Sequence, residues 1–230
     1  MISYARFLIL LFFVINISNA QESAIYTSHL KDYQKAISLY NNNQFKAAQS
    51  QFELISNDTK DMLVKSECAY YIANCAVRLN QRNADDLVES FVETYPTSTK
   101  RNMAFMDVGN YYFENSQYSY AKKWFDKVDQ VSIDRNETDK FYFRYGYSLY
   151  RTGDERQSNK YLRRVADSET YGSQAKYYLG FMAYEGDDYD SATDYFEQVS
   201  NDPKYQEKLA YYQADLNFKL GKFEEAIVLA

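Results

Sequence analysis

A small residue recurs along this chain at an almost fixed interval, and that interval leaves little choice of fold. Ala48, Ala84, Ala121, Ser158, Ala192 and Ala226 lie 36, 37, 37, 34 and 34 residues apart. The first five are followed four places later by Phe52, Val88, Phe125, Leu162 and Phe196. A second small residue precedes each: Ala36, Ala73, Gly109, Gly146, Gly180 and Ala214, eleven residues ahead in the second unit and twelve in the others. Such a period has room for two helices and a turn, which cannot bury their apolar stripes alone and must stack on their neighbours. With only 7 Gly and 2 Pro in 230 residues, little interrupts those helices.

The third unit shows the pattern most fully. Phe105, Val108, Gly109 and Tyr112 fall on one stripe of a helix predicted over 98–114. The polar turn Asn115-Ser116-Gln117 follows, and then Tyr118, Ala121 and Phe125 form a second stripe. Two helices approach closely only where side chains are small, which predicts that Gly109 faces Ala121 while flanking aromatics fill the wedge. The helix propensity lost at a glycine, about 1 kcal/mol, must be recovered by that packing.

This order of residues is similar to the tetratricopeptide repeat. Tyr142, Tyr145, Gly146, Leu149, Gly153, Ser158 and Leu162 carry it in unit four, and Leu179, Gly180, Ala183, Tyr189, Ala192 and Phe196 in unit five. Ala36, Phe45, Ala48 and Phe52 carry it in unit one, Ala73, Ala84, Val88 and Pro96 in unit two, and Ala214, Gly221, Phe223 and Ala226 in unit six. The resemblance implies an all-α, right-handed α-solenoid of antiparallel helix hairpins, six repeats with the last incomplete, over 21–230. The closing proline is present only as Pro96 and, one place early, Pro203, and the linkers 56–60 and 130–138 are polar and longer. Because Ile227, Val228 and Leu229 would otherwise lie bare, the solenoid is expected to continue past Ala230.

Residues 1–20 are set apart from this domain. Arg6, the apolar run from Phe7 to Ile17, and the small residues of Ser18-Asn19-Ala20 have the layout of a secretory signal peptide cut after Ala20. The run is too short to cross a bilayer, which needs about 20 apolar residues, so no transmembrane helix is expected after cleavage. No cysteine follows it to accept a lipid. Export across the inner membrane to a periplasmic or outer-membrane-associated site is the expected fate. Cys68 and Cys75, seven residues apart on one predicted helix, would have Cα atoms about 10 Å apart, too far for a disulfide. They are read as small buried apolar residues.

The sequence offers little to catalysis. With His29 as its one histidine, it has no Ser/His/Asp or Cys/His set, no paired metal-binding histidines and no glycine-rich phosphate loop. No enzyme activity, cofactor or metal is expected. The acidic pairs Asp85-Asp86 and Asp187-Asp188 and the stretch 134–139 lack calcium-loop spacing and fall where helices begin, where carboxylates meet the helix dipole favourably. A net charge of -6 argues against nucleic acid. Asn57-Asp58-Thr59 and Asn136-Glu137-Thr138 match a glycosylation acceptor and fall in predicted linkers.

Function is expected on the first helix of each hairpin, the side that the resemblance places on the concave face. Positions one and four beyond the small residue, with the one three before it, give Tyr70 and Asn74, then Asn110 and Phe113. Next come Phe143, Tyr147 and Tyr150, and then Tyr177, Phe181 and Tyr184. Such a Tyr-rich channel suits a peptide or protein partner, and similarity to bacterial envelope repeat proteins points to envelope-assembly proteins. The alternatives are a glycan stacked on the tyrosines, or a repeat module of a larger protein with a further C-terminal domain. The same aromatics can equally serve as packing between repeats.

Overall fold

A computed structural model describes residues 30–229, with side chains as far as 228; the leader segment and His29 lie outside them. Among the described residues there are helices and turns and no strands. Helix α1 is described over 30–41. It is followed by α2 Phe45–Asp58, α3 Met62–Arg78, α4 Ala84–Thr94, α5 Arg101–Glu114 and α6 Tyr118–Phe125. A 3₁₀ turn, Gln130–Ser132, leads to α7 Thr138–Arg151, α8 Glu155–Arg163, α9 Gly172–Glu185, α10 Tyr189–Glu197, α11 Gln206–Lys219 and α12 Phe223–Leu229. Each odd helix pairs with the even helix after it, giving the all-α solenoid of antiparallel hairpins expected from the repeat. The chain divides into two compact units between Ala104 and Phe105, in the first turn of α5.

Every hairpin turn closes in the same way. Asn43, Asn80, Ser116, Gly153, Asp187 and Gly221 all have φ between 53° and 82° and recur at the repeat period. In each turn this left-handed residue donates its N–H three residues back, and the next residue donates five back. For example, Ser116 N–H reaches Phe113 O and Gln117 N–H reaches Tyr112 O. This double bond pattern satisfies carbonyls that the helix end leaves open. Acidic residues serve the opposite ends: Asp61, Asp154 and Asp188 accept backbone N–H bonds as caps of α3, α8 and α10, and Asp85 and Asp86 sit in the first turn of α4. The residue missing from the second unit lies after its turn. It shortens the start of α4 but leaves Ala84, Val88 and Phe91 buried. Asn57 belongs to the last turn of α2 rather than to a linker, because Thr59 N–H still caps Ile55 O.

The close approach of paired helices has a different partner from the one expected. The nearest atoms to a Cβ built on Gly109 belong to the ring of Phe125, at 2.6 Å, and on Gly180 to the ring of Phe196, at 2.5 Å. Leu162 takes the same place over Gly146, at 3.0 Å. The glycine of the first helix therefore seats the large residue four beyond the small one of the second helix, and Ala121 only lets the backbones come near. Ser158 adds a bond of its own, its hydroxyl donating to Gly146 O at 2.8 Å. Cys68 and Cys75 are free and buried, and burial pushes both thiols up to about 12, leaving them neutral packing groups.

Turn closure gives opposite signs for two substitutions. Ser116→Gly removes a Cβ from a left-handed residue and should raise stability in urea unfolding by about 0.5–1 kcal/mol. Gly153→Ala, at φ 82° with open space around it, should lower stability by about 1 kcal/mol.

Candidate functional site

The first helices carry the aromatic surface, and their rings are organised by the repeat that follows. In the first unit, Tyr71 of α3 meets Tyr33 and Tyr40 of α1 at centroid distances of 6.5 and 5.1 Å. In the second unit, Arg144 of α7 bonds Asn110 Oδ1 at 3.0 Å and Glu114 Oε1 at 2.9 Å, with its guanidinium 5.2 Å from the Phe113 ring. Tyr178 of α9 meets Tyr147 and Tyr150 at 4.6 and 5.6 Å, and Tyr212 of α11 meets Phe181 and Tyr184 at 4.6 and 5.4 Å. Tyr71, Arg144, Tyr178 and Tyr212 all stand two places before the small residue of their helix. That position, which lay outside the positions chosen from the sequence, is the wedge between successive repeats.

Of the predicted binding residues, three are removed from any contact surface. Asn74 is 0% exposed, donating to Tyr70 O at 3.1 Å and accepting from Arg78 at 3.0 Å. Tyr70, 4% exposed, is packed edge-on against Tyr71 and Phe91. Phe143, also 4% exposed, stacks on Tyr171. The cause differs among them: Asn74 is held by Tyr70 and Arg78 of its own helix, Tyr70 is covered by Phe91 of α4, and Phe143 by Tyr171 at the entry to α9. Asn110 and Phe113 are half-buried under Arg144.

The remaining five, Tyr147, Tyr150, Tyr177, Phe181 and Tyr184, lie half-buried on α7 and α9 within one unit. Arg151 donates to the Tyr147 hydroxyl at 3.0 Å and lies over the Tyr118 ring at 4.8 Å. Tyr177 stacks on Tyr205 and meets Phe181 edge-on. Tyr184 donates to Asp215 Oδ2 at 2.6 Å, while Lys219 lies over the Tyr184 and Tyr189 rings. The face thus combines ring edges and phenol hydroxyls with Arg151, Lys219 and Asp215. Beyond the rings wedged by a following repeat, Tyr211 and Phe218 on α11 are exposed, Phe218 by 63%.

The tyrosines are electrostatically uneven. Burial opposes ionisation of Tyr147, yet hydrogen bonds with Arg151 and Tyr178 outweigh it and hold this hydroxyl below the usual tyrosine value. Burial, aided by neighbouring acids or tyrosines, pushes Tyr33, Tyr145, Tyr150, Tyr177 and Tyr178 up. The bond to Asp215, with burial, takes Tyr184 up to about 12. A group raised in the folded state favours folding below its unfolded value near 10 and loses that contribution as pH rises through the folded value. Raised groups outnumber the lowered one. The melting temperature should therefore hold up to about pH 9.5 and fall towards pH 12, with phenolate absorbance appearing together with unfolding. A melting temperature that stays level to pH 12 would contradict this.

Among the described residues, no group of His, Cys, Asp or Glu is arranged to hold a metal ion, and no helix is long and apolar enough to cross a membrane. Comparisons agree with the helical-hairpin geometry. Residues 174–205, which contain α10 and all of α9 after its first two residues, match the family model described as tetratricopeptide repeat. The fold is similar to that of a MamA RS-1 double mutant, with TM-score 0.59 and 16% identity over 77% of this chain and 96% of that one. It is also similar to MamA AMB-1, with TM-score 0.58 and 14% identity over 76% and 92%, and to MamA from residue 41 onward of Desulfovibrio magneticus RS-1, with TM-score 0.55 and 18% identity over 74% and 93%. A search of the curated proteins found no match.

Proposed function

We propose that this helical-hairpin solenoid, which matches the tetratricopeptide repeat over residues 174–205, works as an exported scaffold that holds a protein or peptide partner against α7 and α9. One observation carries this reading: Tyr147, Tyr150, Tyr177, Phe181 and Tyr184 present half-buried rings and hydroxyls beside charged groups of both signs. Rings packed from behind contribute apolar area at little entropic cost, and the phenols and charges can bond a peptide backbone and its polar side chains. Repeat scaffolds of this class act by binding, and nothing in the site supplies a nucleophile activated by a base. Export is supported by the leader-like Arg6, Phe7 to Ile17 and Ser18-Asn19-Ala20, and the partner then belongs to the cell envelope, with envelope-assembly proteins as the class to examine.

A glycan is the weaker reading. Stacking on a pyranose needs a free ring face, whereas Arg151 lies over Tyr118 and Tyr147, and Lys219 over Tyr184. Ring packing by Tyr178 further occupies Tyr147 and Tyr150.

The test keeps the rings and removes the hydroxyls. Tyr147→Phe, Tyr150→Phe and Tyr177→Phe combined should weaken capture of the partner from a cell-envelope extract by about tenfold or more, since each lost hydrogen bond is worth about 0.5–1.5 kcal/mol. Circular dichroism should be unchanged. Undiminished capture by the triple variant would sink the proposed face, and retardation by polysaccharide in a native gel would favour the glycan.

A further inference from the structure

The second helices of the later unit carry opposite charges in adjacent halves. Lys122 and Lys123 of α6, with Arg156, Lys160, Arg163 and the adjoining Arg164 of α8, form a basic half, all exposed except the half-buried Lys122. Within it Asp126, bonded to Lys122 at 2.8 Å, Glu155 and the α8 cap Asp154 oppose that charge. The two helices flank α7 and are tied together: Tyr145 places its ring against both Phe125 and Tyr161, and Gln130 donates to the Tyr161 hydroxyl at 2.8 Å. The next two second helices reverse the sign, with Asp190, Asp194 and Glu197 on α10 and Glu224 and Glu225 on α12, all exposed. A groove lined by Arg156 and Arg163 on one wall and by Asp188, Ser191 and Tyr195 on the other marks the border.

A basic cluster of this size is out of character for a chain of net charge -6, and its position beside an equally concentrated acidic patch limits what can cover it. An extended anionic surface would attract the basic half and be repelled by the acidic half next to it. A second copy of this chain, turned about a two-fold axis near the groove, sets α6 and α8 of each copy against α10 and α12 of the other. An isologous interface needs this self-complementarity. We propose that this outer face mediates a salt-sensitive homodimer of the chain, leaving the first-helix face of α7 and α9 open for a partner.

Sedimentation velocity at tens of micromolar protein tests this directly. The wild-type chain should sediment as a dimer in about 20 mM salt and as a monomer in about 0.5 M salt, where exposed charges are screened over a few ångströms. Arg156→Glu with Lys160→Glu, and separately Asp190→Lys with Asp194→Lys, should each give monomers in low salt, because each cancels most of the net charge on one half. Mixing the two variants should restore a dimer, which also shows that both are folded. A wild-type chain monomeric in low salt overturns the proposal, as does a mixture that stays monomeric. Monomeric wild-type chain that co-sediments with phosphatidylserine vesicles would overturn it too, and would assign the basic half to a lipid surface.

Discussion

The seat of a large apolar side chain on a glycine is the contact from which the rest of this structure follows. Phe125 on Gly109, Leu162 on Gly146 and Phe196 on Gly180 leave no space for a Cβ, so the two helices of a hairpin are held at a separation fixed by one ring or one leucine. All three large residues are fully buried, and so are Phe52 and Val88 at the same place in the first two repeats, where the first helix offers Ala36 and Ala73 instead. A glycine in mid-helix is unfavourable by about 1 kcal/mol against alanine, and burying a phenylalanine or leucine returns about 1.5–3 kcal/mol. Packing therefore decides the residue, against local propensity. Once each hairpin is closed at this distance, the next first helix lies near enough for Tyr178 or Tyr212 to enter between two rings of the preceding one.

The abundance of tyrosine over phenylalanine follows from that arrangement. Rings between repeats must be large, yet their far edges reach the border of water, where a hydroxyl needs a partner. Carboxylates of neighbouring elements supply it: Tyr33 donates to Glu67, Tyr145 to Asp126 and Tyr184 to Asp215. Among the described residues, acidic side chains accordingly cap helices and accept phenols, and none gather into a metal-holding group. Cations complete the edges, with Arg78 over Tyr40 and Phe45, Arg151 over Tyr118 and Tyr147, and Lys219 over Tyr184 and Tyr189. Each of these three stands five places after the small residue of its first helix. The aromatic face is thus first a set of joints between repeats, and the same rings are stiff enough to serve as a platform for a partner.

The period of small residues was enough to reveal the hairpins, their turns and the helix carrying each ring, because close packing leaves a periodic mark that survives variation elsewhere. The residue facing Gly109 was misread as Ala121, since a small residue on each helix looks like a pair; a helix offset of one turn puts Phe125 there instead. Asn74 was taken for a polar contact point, and its burial depends on Arg78 four residues on, a partner that spacing alone did not single out. The wedge residues were missed because Tyr71, Tyr178 and Tyr212 share their position with Arg144, so no single residue type recurs. Of the left-handed turn residues, Ser116, Gly153 and Gly221 fall in turns or repeat positions legible in the sequence, whereas Asn43, Asn80 and Asp187 share the interval without sharing a residue type.

A double-mutant cycle on the glycine seat weighs the central contact directly. Gly180→Ala, Phe196→Leu and their combination would be compared by urea unfolding. Alanine gains about 1 kcal/mol of helix propensity, yet overpacking against Phe196 should outweigh it, leaving a net loss of about 1–2 kcal/mol that shrinks to near zero or reverses in the Phe196→Leu background. If Gly180→Ala instead stabilises the wild-type chain by about 1 kcal/mol, the ring does not hold the helices at this distance and the seat is not what closes the hairpin.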